Sequence, residues 1–155
     1  MKKIFLLLLS VLVFQGFSQE VTQEYDKIGK FKKGIAYVWK NGHCGVINQS
    51  GKEIIKPTYD KISSFGNDAL AYTTKDGKMG LITMEGKVIV ANVYDDITTF
   101  KGFYAITRKS GLAGIINKHG KVLVDNKYET IKIGKNGEIR AVKDGKEMVL
   151  DLKDK

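Results

Sequence analysis

One tetrapeptide returns at a fixed interval and limits what this chain can fold into. Tyr25-Asp26-Lys27-Ile28 recurs as Tyr59-Asp60-Lys61-Ile62, as Tyr94-Asp95-Asp96-Ile97 and, more loosely, as Tyr128-Glu129-Thr130-Ile131, at spacings of 34, 35 and 34 residues. Other positions keep the same period. Phe31, Phe65 and Phe100 follow the first three tyrosines by six residues. Ile35-Ala36, Leu70-Ala71 and Tyr104-Ala105 come next, and Gly45, Gly80 and Gly114 lie nine residues beyond each Ala. Each of those glycines opens an apolar pair, and Gly51-Lys52, Gly86-Lys87 and Gly120-Lys121 precede the next tyrosine. A period of this length means a tandem array in which each unit buries its apolar face against the next.

Within a unit the pattern is that of short strands. Ile35 to Trp39, Leu70 to Thr74 and Tyr104 to Arg108 form a first strand, closed by Asn41-Gly42, Asp76-Gly77 or Ser110-Gly111. Asn-Gly and Asp-Gly suit a two-residue hairpin whose central residues both need positive φ. A second strand runs through Gly45-Val46-Ile47 and its equivalents. A third comprises Glu53-Ile54-Ile55, Val88-Ile89-Val90 or Val122-Leu123-Val124 and leads into the Tyr-Asp corner. β-Branched residues dominate these runs, and beyond residue 18 no window of ten or more has a helical period. The expectation is an all-β fold of tandem three-stranded meanders in a curved or twisted array, with a small propeller-like closure as the alternative. The units are 25–58, 59–93, 94–127 and a degenerate cap, 128–155, in which Met148 and Asp154 replace the recurring glycines. The expected core is Tyr25, Tyr59, Tyr94, Tyr128, Phe31, Phe65, Phe100 and the apolar pairs of the second strands.

This combination resembles the WG-repeat family, also described as KWG repeats. The family pattern is Tyr-Asp, Phe, Gly-Leu-Ala, a turn, Trp-Gly, apolar-Ile and Gly-Lys, often with a proline before the next Tyr-Asp, where Pro57 stands here. The slot before the second-strand glycine, Trp in the family name, holds Cys44, Met79, Ala113 and Glu147, and the single Trp is Trp39 on the first strand. The resemblance spans Tyr25 to about Asp151. It implies an all-β repeat array without an assigned catalytic activity, often extracytoplasmic or attached to other domains.

The amino terminus reads as an address. Met1-Lys2-Lys3 precedes an apolar run from Ile4 to Phe14, and Gly16-Phe17-Ser18 supplies the small residues of a cleavage site. The run is too short to span a bilayer. Residues 1–18 are therefore expected to be a signal peptide and 19–24 a short leader, in a bacterial-style exported protein, periplasmic or extracellular, with no transmembrane span after cleavage. Loss of Lys2 and Lys3 lowers the formal charge from +9 to +7. The basic residues are 24 Lys and two Arg, Arg108 and Arg140. Lys scattered over turns and strand edges serves solvation and edge protection and leaves room for weak attraction to anionic polymers. Nucleic-acid readout leans on Arg forks, so no nucleic-acid partner is expected.

Few residues invite chemistry. His43 and Cys44 are adjacent, but neighbours on a strand point to opposite faces and cannot form a nucleophile–base pair locally. Cys44 fits a small buried hydrophobe. Two His and no matching carboxylates give no metal site, and no cofactor is indicated. Asp26, Asp60, Asp95 and Glu129 recur in every unit, which favours carboxylates that accept backbone N–H bonds at each corner over a cation row. Trp39, Tyr37, Tyr72 and Arg108, on the first strands, are the candidate binding residues. The functional expectation is an exported, non-catalytic interaction module with a protein or cell-envelope ligand. The alternatives are an envelope structural protein that holds anionic polymers by charge and a small hydrolase with its site built across units.

Overall fold

A computed structural model describes residues 25–152. The expected signal peptide, 1–18, and leader, 19–24, lie outside the described residues, as do the last three residues of the cap. The described chain is all-β and forms four antiparallel sheets in tandem. The first contains β1 (Lys27–Ile28), β2 (Ile35–Lys40), β3 (His43–Asn48) and β4 (Glu53–Tyr59). The second contains β5 (Lys61–Ile62), β6 (Leu70–Lys75), β7 (Lys78–Thr83) and β8 (Val88–Tyr94). The third repeats the plan with β9 (Asp96–Ile97), β10 (Tyr104–Lys109), β11 (Leu112–Asn117) and β12 (Val122–Tyr128). The fourth has three strands: β13 (Thr130–Ile133), β14 (Ile139–Lys143) and β15 (Lys146–Leu150). Each sheet is a meander in chain order, and none closes into a barrel. Among the described residues no helix is long and apolar enough to cross a membrane.

The three long strands of each full unit follow the sequence pattern, and the Tyr-Asp corner adds a fourth strand of two residues. Lys27 and Ile28 pair with Trp39 and Val38, and the equivalent corners do the same in the second and third sheets. The hairpins between the first two long strands have both central residues at positive φ, as at Asn41 (51°) and Gly42 (79°). The corner carboxylates hold these turns. Asp26 Oδ2 accepts the Asn41 N–H at 2.6 Å, Asp95 Oδ2 that of Ser110 at 2.7 Å, and Glu129 Oε1 that of Gly145 at 3.1 Å.

The second-strand glycine is required by a close approach and not by its φ. Cys44 pairs with Tyr59 and Val46 with Ile55, so β4 carries extra residues and bulges across β3. A Cβ on Gly45 would sit 2.6 Å from the Ile55 carbonyl oxygen, and one on Gly80 or Gly114 would meet Val90 O or Val124 O at 2.5 or 2.6 Å. In the fourth sheet no strand pairs with the outer edge of β15 among the described residues, and Met148 is tolerated at that position.

The core lies between consecutive sheets. One cluster joins Cys44, Val46 and Ile55 of the first sheet to Ile62, Ala71 and Ile82 of the second. Another joins Leu81, Val90 and Tyr94 to Ile97, Ala105 and Ile116. A third joins Ile115, Val124 and Tyr128 to Ile131, Ile139 and Ala141. The expected aromatic core needs correction in part. Tyr94 and Tyr128 are buried, but Tyr25, Tyr59, Phe65 and Phe100 are half-buried and Phe31 is exposed. Phe65 and Phe100 each pack against the preceding sheet, and Phe31 has no preceding sheet among the described residues.

Candidate functional site: clefts between successive sheets

The loop before each first long strand and the segment after the next Tyr-Asp corner stand apart at their edge. A cleft opens there at each of the three junctions. Between the first and second sheets it has a volume of about 260 Å3 and is lined by Ile35, Tyr37, Phe65, Met84 and Ser64, with Lys30, Lys32 and Lys33. Between the second and third sheets a wider cleft of about 560 Å3 is lined by Asp68, Leu70, Tyr72, Phe100 and Lys118 among others. At the last junction a cleft of about 400 Å3 lies among Lys101, Phe103, Tyr104, Ile133 and Lys135.

A hydroxyl of one sheet fixes the next across the first two junctions. Tyr37 donates to the Ser63 carbonyl oxygen at 2.8 Å, and Tyr72 donates to that of Thr98 at 3.1 Å. Burial pushes both phenols above their usual pKa. The equivalent residue in the third sheet, Ile106, has no hydroxyl, and there Lys101 Nζ donates to Ile133 O at 3.4 Å. The Tyr37 ring also stacks on Phe65, with centroids 6.4 Å apart.

The wide cleft neutralises itself. Lys118 Nζ donates to Asp68 Oδ2 at 3.0 Å and lies 5.9 Å from the Phe100 ring centroid. The Lys118 hydrogen bond holds the Asp68 carboxyl below its usual range. The small cleft differs at the matching positions. Counted back from the following Ala, Lys33 takes the place of Asp68, in a loop that is one residue longer in the second unit, and Met84 stands where the third unit has Lys118. None of Lys30, Lys32 and Lys33 has an ion-pair partner among the described residues.

The four candidate binding residues are not brought together. Tyr37 lines the small cleft and Tyr72 the wide one, each engaged by its hydroxyl. Trp39 is half-buried against the cluster joining the first two sheets, with Lys27 Nζ 5.0 Å from its ring centroid. It pairs across the strands with Cys44, so the bulk expected in the family's Trp slot stands on the facing strand. Arg108 is exposed on the third sheet, its guanidinium 3.5 Å from the Gly111 carbonyl oxygen. His43 is exposed with Nδ1 3.6 Å from Asp60, while Cys44 is buried on the other face and burial pushes its thiol up. Sequence reading missed the cleft lysines as a set, together with Met84 and Phe103. Each cleft draws its lining from two units, and the period treats them separately.

The family model described as WG containing repeat matches residues 45–78 and 79–112. Each matched window runs from the second long strand of one sheet to that of the next and so contains the Tyr-Asp corner between them, while most of the residues that line the first two clefts lie outside it. No curated protein sequence matches the chain.

Proposed function

Residues 45–112 match the WG containing repeat in two tandem windows, and from that premise we propose an exported, non-catalytic interaction module that takes its ligand along the clefted edge. The observation that carries this reading is the recurrence of an open cleft at the same place in every junction. A repeat frame presents such a surface without any unit having to carry a unique polar constellation. Two features support a role without catalysis. The adjacent Cys44 and His43 lie on opposite faces, and the recurring carboxylates are engaged in turns in three of four units. Export rests on the amino-terminal pattern, and mass spectrometry of protein recovered from the envelope should find a chain beginning at Gln19.

The test is retention of envelope components on the immobilised protein. The wild type should retain a defined protein or ligand, and Lys32→Glu with Lys135→Glu, both on exposed lysines at cleft mouths, should reduce that retention at unchanged stability. Retention that is indifferent to these substitutions overturns the reading. The net basic charge favours a second reading, a holder of anionic polymers. Retention of many unlike polyanions, all released together by moderate salt, would select it.

A further inference from the structure

We propose that the cleft between the first two sheets binds a small amphiphilic carboxylate, with the chain among Ile35, Tyr37, Phe65 and Met84 and the head group at Lys30, Lys32 and Lys33. This rests on the clefted edge being the binding edge. The argument is a comparison inside one molecule, where the same scaffold recurs with different side chains. At the second junction Asp68 and Lys118 satisfy each other across the cleft, so an anion gains little there. At the first junction both partners are exchanged in one direction. Lys33 replaces the acid, and Met84 replaces the cation with a flexible apolar side chain that adapts to a guest. Apart from Ser64 the lining between the lysines is thereby apolar or aromatic, and the three lysines at its mouth have no anionic partner among the described residues.

Size selects the guest. The cavity of about 260 Å3 is at the small end of ligand pockets and fits an acyl chain of medium length but not a two-chain lipid. The stacked Tyr37 and Phe65 rings form one wall, and Ile35 and Met84 complete the apolar lining, with Ser64 beside them. The hydroxyl of Tyr37 is turned to Ser63, so recognition at depth is by apolar contact and at the mouth by charge. An ammonium head would meet three like charges and be rejected.

The experiment is calorimetric titration of the purified protein with decanoate below its micelle concentration, with Trp39 fluorescence as a second readout. Decylammonium, acetate and vesicles of phosphatidylglycerol and phosphatidylcholine serve as comparison probes. Decanoate should bind, while decylammonium and acetate should bind at least tenfold more weakly. The double substitution Lys33→Asp with Met84→Lys places an acid and a cation at this cleft, as Asp68 and Lys118 stand at the next. It should weaken decanoate at least tenfold with an unchanged melting temperature. Should that variant fail to fold, Lys32→Glu on the exposed loop carries the test, with a loss of at least fivefold expected. Equal binding of decanoate and decylammonium, no binding of decanoate, or a response to vesicles alone would each overturn the inference. If decanoate fails but envelope retention is lost in the double variant, the ligand class falls while the interaction module stands.

Discussion

Two buried threonines show how the repeat tolerates exchange only in pairs. Thr73 and Thr107 are 1% exposed, and each is satisfied by an asparagine on the outer strand of its sheet. Asn92 Nδ2 lies 3.1 Å from Thr73 O, 3.0 Å from Thr73 Oγ1 and 3.0 Å from Lys78 O, and Asn126 repeats this with Thr107 and Leu112. In the first sheet the same two positions are Val38 and Pro57, an apolar solution to the same contact. Asn92→Ala should therefore destabilise by about 1–3 kcal/mol, because it strands a buried hydroxyl and a carbonyl. Thr73→Val with Asn92→Pro recreates the first unit's pair and should recover most of that loss. A urea-denaturation double-mutant cycle measures the coupling, and strictly additive losses would count against it. Half-burial also sets the scale for Phe65. Phe65→Ala should cost about 1–2 kcal/mol, below the ~3–5 of a fully buried ring. Trp39→Ala should cost at least as much, since that ring packs on the same cluster, and denaturant midpoints of the two variants order them.

Among the elements, the bulged outer strand demands most of its neighbour. Gly80→Ala would place a Cβ 2.5 Å from the Val90 carbonyl oxygen, a backbone atom that cannot swing aside. The expected cost is about 3 kcal/mol or more, by overpacking between β7 and β8. Met148→Ala, at the equivalent point of β15, should stay within about 1 kcal/mol, because no outer strand crosses it among the described residues. Equal thermal melts for the two variants would refute this account of the glycine. The long strands were legible because alternation, Asn-Gly turns and a fixed period agree. The two-residue strands at the Tyr-Asp corners were not, since two residues display no alternation. Nor could the pattern separate Phe31 from Phe65, which hold the same place in the period. Their difference comes from whether a sheet lies in front. The clefts were hidden for a related reason. Tyr37 and Tyr72 are fixed by carbonyls of Ser63 and Thr98, backbone acceptors that side-chain patterns do not mark.

At the scale of the whole molecule, the sheets meet through tyrosines, and this makes stability depend on alkali. Burial raises the phenols of Tyr37 and Tyr59 at the first junction and of Tyr72 and Tyr94 at the second. Tyr25 is pushed up to about 12 by burial and by the Glu53 carboxylate that accepts its hydroxyl at 3.1 Å. A phenol raised in the folded state stays protonated where the unfolded chain has begun to lose its proton. Above a pH of about 10 the unfolded state therefore binds fewer protons, and stability falls as pH rises. Below that range these groups are neutral in both states and contribute no slope. Each sheet shares its core with its neighbours, so ionising one junction weakens the support of the next. Alkaline unfolding should then be cooperative, beginning above pH ~10 and complete by about 12. Tyrosinate absorbance should rise together with loss of the β circular-dichroism signal. Tyr37→Phe, which removes an ionisable group and keeps the ring on Phe65, should move the transition to higher pH. Tyrosinate that forms near pH 10 over an unchanged β signal would show instead that the phenols ionise without disturbing the junctions, and the tyrosine ties would lose their place in holding the array together.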